Sequence, residues 1–149
     1  MINLEVREVR KEDISKLSEF FSSMDYKTNQ LYTHKFNKDP SKRAKDLFYE
    51  DSDKLIVLKD REIIAWGNLI RDPAYPGVPS LGICVKPEYR NRGIGHILVE
   101  ELIDFGIGKY KGIYIQVKKE NLIALKLYQE YNFKIAEEKN GMVCLRYEY

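Results

Sequence analysis

Val85-Lys86-Pro87-Glu88-Tyr89-Arg90-Asn91-Arg92-Gly93-Ile94-Gly95-His96 is the stretch that decides the reading of this chain. A strand-like run, Leu81–Val85, ends there. Pro87 turns the chain, Arg-x-x-Gly-x-Gly follows, and an amphipathic helix begins. The first turn of a helix leaves backbone N–H groups without partners, and the helix dipole favours an anion at that end. Glycines let the backbone come close to a ligand because no Cβ intervenes. Arg90 and Arg92 add charge and donors at the rim. The stretch therefore predicts a phosphate cradle. It is not a P-loop, because no Gly-Lys-Ser/Thr follows the glycines. It is not a dinucleotide fingerprint either, because Arg90 stands where that motif needs its first glycine.

Composition narrows the partner. The chain has 149 residues, enough for one domain with a real core, and we expect a single domain over residues 1–149. Its 25 basic and 23 acidic residues nearly cancel, which argues against nucleic acid as a partner, where bulk positive charge is the usual footprint. No apolar run reaches the length of a membrane span, and Met1–Arg10 alternates apolar and charged residues unlike a signal peptide. The expectation is a cytoplasmic protein without a membrane partner. Cys84 and Cys144 sit in separate strand-like runs with no Cys/His ligand spacing, so no metal is expected.

Working outward, Ile2, Leu4, Val6 and then Val9 give a first strand with charged residues between, and Lys11-Glu12-Asp13 opens a helix carrying Ile14, Leu17, Phe20 and Phe21. Ser22–Asn37 has no clear period. Asp39-Pro40-Ser41 starts a second helix bearing Ala44, Leu47 and Phe48. Leu55–Leu58 and Ile63–Ile70 form a hairpin, and the proline-rich segment Asp72–Pro79 leads into Leu81–Val85. After the cradle, Ile94, Leu98, Leu102 and Phe105 share a helix face. Ile113, Ile115 and Val117 alternate as a strand, and Asn121 caps a helix read with Leu122, Leu125 and Tyr128 around its turns. Phe133–Ala136 and Met142–Tyr147 close a hairpin at Asn140-Gly141. The predicted class is α+β, with a mixed, mostly antiparallel sheet flanked by helices in the order β-α-α-β-β-β-α-β-α-β-β.

Two blocks carry a family resemblance. Arg90, Gly93 and Gly95 resemble motif A of the GCN5-related N-acetyltransferases, Arg/Gln-x-x-Gly-x-Gly/Ala. Asn121, Ala124, Leu127, Tyr128 and then Tyr131-Asn132-Phe133 resemble the same family's motif B, with Asn132 where glycine is usual. Asparagine is the next best residue in a left-handed helix C-cap. The resemblance implies acetyl-CoA as cosubstrate, with its pyrophosphate on the backbone amides of Arg90, Asn91, Arg92, Gly93, Ile94, Gly95 and His96. It implies that the pantetheine arm pairs with Leu81–Val85, using Ile83 and Val85. Gly82 inside that strand marks a bulge or a close backbone approach. Asn121 resembles the family's cofactor-contacting asparagine.

The resemblance further implies that Tyr128 is the general acid, protonating the departing thiolate; a thiol titrates near 8.5 and a phenol near 10. In the branch that acetylates ribosomal-protein N-termini, a glutamate stands twelve residues before this tyrosine. Here that place is Gln116, which can hold a water but cannot take a full proton. Asp72, Asp25 and Glu62 remain as remote carboxylates. The expected acceptor is a primary amine on a peptide or a small molecule. Tyr26, Tyr32 and Tyr75 are candidates to line its site. A CoA-binding regulatory module without turnover is the alternative. A homodimer is a compatible assembly that the sequence does not fix.

Overall fold

Strand alternation and helical spacing resolve, among the described residues, into seven strands and four helices. A computed structural model describes residues 3–24 and 39–149 of the chain. The elements are β1 (Leu4–Glu8), α1 (Ile14–Ser22), α2 (Pro40–Tyr49), β2 (Ser52–Lys59), β3 (Glu62–Ile70) and β4 (Ser80–Val85). They continue with α3 (Ile94–Phe105), β5 (Gly112–Lys118), α4 (Leu122–Glu130), β6 (Lys134–Lys139) and β7 (Met142–Glu148). Lys11-Glu12-Asp13 forms a 3-10 turn before α1, and Pro87–Tyr89 forms another before α3. The expected order of strands and helices holds.

Each boundary has a local cause. The Asp39 side chain accepts the Lys42 N–H at 3.1 Å, and Pro40 begins α2 where its missing N–H costs nothing. Asp60-Arg61 and Asn140-Gly141 both take positive φ, the left-handed pair that two-residue hairpin turns require. Asn132 adopts φ 69° behind α4, the left-handed C-cap expected of it, and Phe133 N–H returns to the Tyr128 carbonyl at 3.1 Å.

The seven strands form one sheet in the order β1-β2-β3-β4-β5-β7-β6. All neighbours are antiparallel except β4 and β5. The two faces bury different side chains. One face packs Leu55, Val57, Leu69, Leu81, Ile83, Ile113, Ile115 and Val143 against α3 and α4. The other packs Ile56, Leu58, Ile63, Trp66 and Cys84 against Leu17, Phe20 and Phe21 of α1 and Ala44 and Leu47 of α2. Ile64 has no partner in the β2–β3 register, which jumps between Val57 and Leu58. This bulge allows Ile63 and Trp66 to share a face although they lie three apart.

One detail of the sheet positions the site. β4 and β5 pair only at Ser80 and Tyr114, where the Tyr114 N–H donates to the Pro79 carbonyl at 3.0 Å. Beyond that point the strands part, while β5 stays paired with β7 from Gly112 to Lys118. The sheet is forked, and the fork opens toward the N-terminus of α3.

Candidate active site

The end of the fork carries a run of unclaimed donors. Tyr89 N–H donates to the Lys86 carbonyl and Arg90 N–H to that of Pro87, and the next N–H bonded on the backbone is that of Ile97, to Gly93. Among the described residues, the six N–H groups from Asn91 to His96 have no backbone acceptor. Asn91 and Gly93 take φ of 61° and 82°, turning successive amides into the concave arrangement that receives an anion. A Cβ placed on Gly93 would meet nothing within 4 Å, so this side of the loop is open. Gly95 is different. Its Cβ would lie 3.3 Å from Leu127 Cδ2 and 3.8 Å from Ile83, so this glycine lets α3 lie close to α4 and β4.

The side chains of the loop are tethered around this mouth. Arg90 Nε donates to the Val85 carbonyl at 3.1 Å, and Arg92 lies over the Tyr89 ring at 5.6 Å. His96 turns away. Its Nε2 lies 3.7 Å from a Glu130 carboxylate oxygen and its ring 5.7 Å from that of Tyr131, so it can offer the cradle its N–H rather than its imidazole. Asn121 caps α4, its side-chain oxygen accepting the Ala124 N–H at 3.3 Å.

Tyr128 reaches the sheet from α4. It is 3% exposed and packs with Leu98, Ile115, Val117 and Phe133, its ring 5.5 Å from that of Phe133. Burial alone pushes its phenol well above the ordinary value for tyrosine, because the phenolate would have to form away from water. The α4 face differs from the expected one at one residue: Leu125 and Tyr128 pack against the core as expected, with Ala124 beside them, but Leu122 is 71% exposed.

On the opposite face of the sheet, Gln116 is exposed and lies across from Cys144 on β7. β5 alternates, so Gln116 shares its face with Tyr114. Gly82 is a close-approach site: a Cβ there would sit 2.7 Å from the Asn68 side-chain oxygen, so the glycine lets Asn68 lie over β4. Asn68 is itself buried and donates to Glu50 at 2.6 Å. Of the remote carboxylates, Glu62 is paired with Lys86 beyond the end of β4. Asp72 approaches Tyr114, and the Tyr75 ring lies 5.3 Å from that of Tyr114, tilted 54° to it. Asp25, Tyr26 and Tyr32 lie outside the described residues. Tyr114 and Asn68 are the residues that reading the sequence missed. Only the alternation of β5, which puts Tyr114 beside Gln116, pointed to the first. Among the described residues no three His, Cys, Asp or Glu side chains converge as a metal would need, and no helix is long and apolar enough to cross a membrane.

The unclaimed amides, the open side of Gly93 and the fork together fit a cosubstrate with a phosphate group and a linear amide arm. Comparison with known proteins agrees. The model of the acetyltransferase (GNAT) family matches residues 16–133. N-alpha-acetyltransferase RimI of Mycobacterium tuberculosis is 37% identical over 71 residues, which is 40% of this chain and 44% of that protein. The uncharacterized protein ML0378 of Mycobacterium leprae is 38% identical over 72 residues, 40% of this chain and 19% of that one. The matches thus span less than half the length of these curated relatives. In fold, the GNAT domain of S. lividans PAT superposes with a TM-score of 0.86 at 14% identity, covering 98% of this chain and 90% of that one. yncA of Salmonella typhimurium, solved with acetyl-CoA, superposes with a TM-score of 0.78 at 12% identity over 97% and 93% of the two chains. With the family model covering most of the chain and the fold superposing along nearly its whole length, this protein belongs to the acetyltransferase (GNAT) family.

Proposed function

We propose that this protein transfers an acetyl group from acetyl-CoA to a primary amine, a peptide N-terminus or a small-molecule amine, by direct attack of the amine on the thioester. The observation that carries this is the fork leading from Ser80 and Tyr114 to six unclaimed amides at Asn91–His96. The bound cosubstrate supplies an activated acetyl thioester. The amides of Asn91 to His96 would hold its phosphates, with Arg90 and Arg92 at the rim and Asn121 nearby. The edge of β4 that faces the fork, at Ile83 and Val85, would line the amides of its arm, as one more strand would.

The chain's own chemistry follows from burial. Tyr128 stays a neutral phenol and therefore keeps a proton to donate toward the departing sulfur. Gln116 can orient a water and cannot deprotonate the amine. An acceptor that is already partly neutral suits such a site, and the relative named N-alpha-acetyltransferase supports placing α-amino groups first. An amine panel incubated with acetyl-CoA, with free thiol as the readout, tests the reading. Thiol release that depends on the amine is expected. CoA binding by calorimetry with no thiol released for any amine would establish the non-catalytic alternative, which the missing carboxylate at Gln116 favours.

A further inference from the structure

The sheet face covered by α1 and α2 changes character at the fork. Toward the cradle end it is apolar, with Trp66 and Cys84 in the core. Beside the fork the same face presents Asn68, Ser80, Gly82, Tyr114 and Gln116, as strand alternation and the pairing of Asn68 with Gly82 and Ser80 with Tyr114 require. Asp72 stands at the rim of this polar floor. One of its carboxylate oxygens accepts the Ala74 N–H at 2.9 Å, closing a local turn. The other lies 3.5 Å from the Tyr114 hydroxyl, at the limit of a hydrogen bond, and so keeps accepting capacity. Asp72 has no lysine or arginine partner among the described residues, although its neighbour Arg71 engages both Asp51 and Asp53. Tyr75 lies beside Tyr114, with ring centroids 5.3 Å apart and Tyr75 57% exposed.

A half-buried carboxylate with no lysine or arginine partner among the described residues, beside a tyrosine pair of which one ring is exposed, can attract a cationic amine. We infer that Asp72, Tyr75 and Tyr114 form the acceptor-amine site, which captures the ammonium form of the acceptor through the Asp72 carboxylate and the Tyr114 hydroxyl; the ammonium gives its extra proton to solvent water, and the neutral amine then attacks the thioester. The inference rests on the acetyl-transfer reading and names its substrate class: primary amines that are protonated at neutral pH. The site lies at the apex of the fork. Gly82 is two residues further along β4, about 7 Å at the usual strand rise. A bound amine therefore sits within a short reach of the strand edge proposed for the cosubstrate arm. Burial pushes the Tyr114 phenol up, and the hydrogen bond from Ser80 opposes this only in part, so the hydroxyl keeps its proton beside the carboxylate.

Asp72→Asn tests the assignment, because an amide oxygen still accepts the Ala74 N–H while the charge is lost. The probes are a tetrapeptide with a free N-terminus, the same tetrapeptide acetylated, and ethylamine. Binding to CoA-loaded protein is read by calorimetry. The wild type should bind the free tetrapeptide or ethylamine at least tenfold more tightly than D72N does, and D72N should bind the free and acetylated tetrapeptides alike. Whichever of tetrapeptide and ethylamine shows the larger effect separates a peptide acceptor from a small-molecule one. On the wild type alone, the free tetrapeptide should lose affinity as salt rises and the acetylated one should not. This arm holds even if D72N fails to fold. Wild-type protein that binds neither free amine, or that loses no preference in D72N, overturns the site. Amine binding in the wild type without thiol release supports the site and refutes acetyl transfer, so the two failures are distinguishable.

Discussion

The two glycines of the cradle should respond differently to the same small substitution. Gly93 holds φ 82° with open space where a Cβ would go. Alanine there meets no atom, so its whole cost is the left-handed backbone, about 1–2 kcal/mol for a residue with a Cβ. For a domain of this size that lowers Tm by about 2–8 °C. If the backbone relaxes toward negative φ, the peptides on either side rotate and their N–H groups leave the common focus. Losing one hydrogen bond to a charged group costs about 1.5–3 kcal/mol, so CoA should bind tenfold or more weakly. Alanine at Gly95 places its methyl 3.3 Å from Leu127 Cδ2, the end of a flexible side chain that can yield by a few tenths of an ångström. Alanine's helix preference over glycine, up to about 1 kcal/mol, offsets that crowding. Gly95→Ala should therefore change stability by less than about 1 kcal/mol and CoA affinity by less than about threefold. Calorimetric titration of CoA and thermal melts on both variants decide the matter. A tenfold loss in Gly95→Ala with none in Gly93→Ala would show that Gly95, not Gly93, admits the phosphates, and would refute the reasoning.

Tyr128→Phe should leave CoA affinity within twofold and lower turnover by about 10²–10⁴, measured at saturating amine; equal turnover removes the phenol from the mechanism. With Gln116 unable to serve as base, the rate at subsaturating amine should rise with pH as the acceptor deprotonates. At pH 7 about one α-amine in ten is neutral, against fewer than about one lysine side chain in a thousand, so a flat pH profile with lysine preferred would mean that a base exists elsewhere. Asp53 gives the acid limb of stability. Burial pushes its carboxyl up, but hydrogen bonds from Lys109, Tyr110 and Arg71 outweigh this and hold it below its ordinary value of 3.8. A depressed carboxyl adds stability that is complete above its unfolded pKa and is lost as pH falls through the folded one. Urea midpoints of the wild type should therefore fall below about pH 4 more steeply than those of Asp53→Asn.

What the sequence made legible was local. Val85–His96 could be read because the turn, the glycines and the helix start are neighbours in the chain. Asn132 and Asn121 could be read because caps follow from one residue's own side chain. The fork could not be read. Leu81–Val85 and Ile113–Val117 alternate as any paired strands do, and nothing in either segment reveals that they meet at one position only. The role of Gly95 was hidden for the same reason, since Leu127 lies on another helix. Leu122 fits the helical period of α4, yet it is exposed, because the inward face is chosen by what α3 and the sheet offer and not by the period alone. Asp72 and Tyr114 are 42 residues apart and come together only because β3, β4 and β5 are neighbours.

The fork also divides the molecule mechanically. β1 to β4 form one hydrogen-bonded block and β5, β7 and β6 another, joined across the sheet at a single position. Side chains of α3 and α4 bridge the two blocks on one face, but apolar packing tolerates small rotations that a hydrogen-bonded ladder does not. In the free protein the blocks should open against each other about Ser80 and Tyr114, and the Val85 amide, at the open end of the fork, should exchange with solvent faster than the amides of β4 that face β3. A ligand arm that pairs with that edge supplies the missing ladder. Binding then stiffens the whole sheet at once, and part of the affinity for the cosubstrate is spent in making two half-sheets behave as one body.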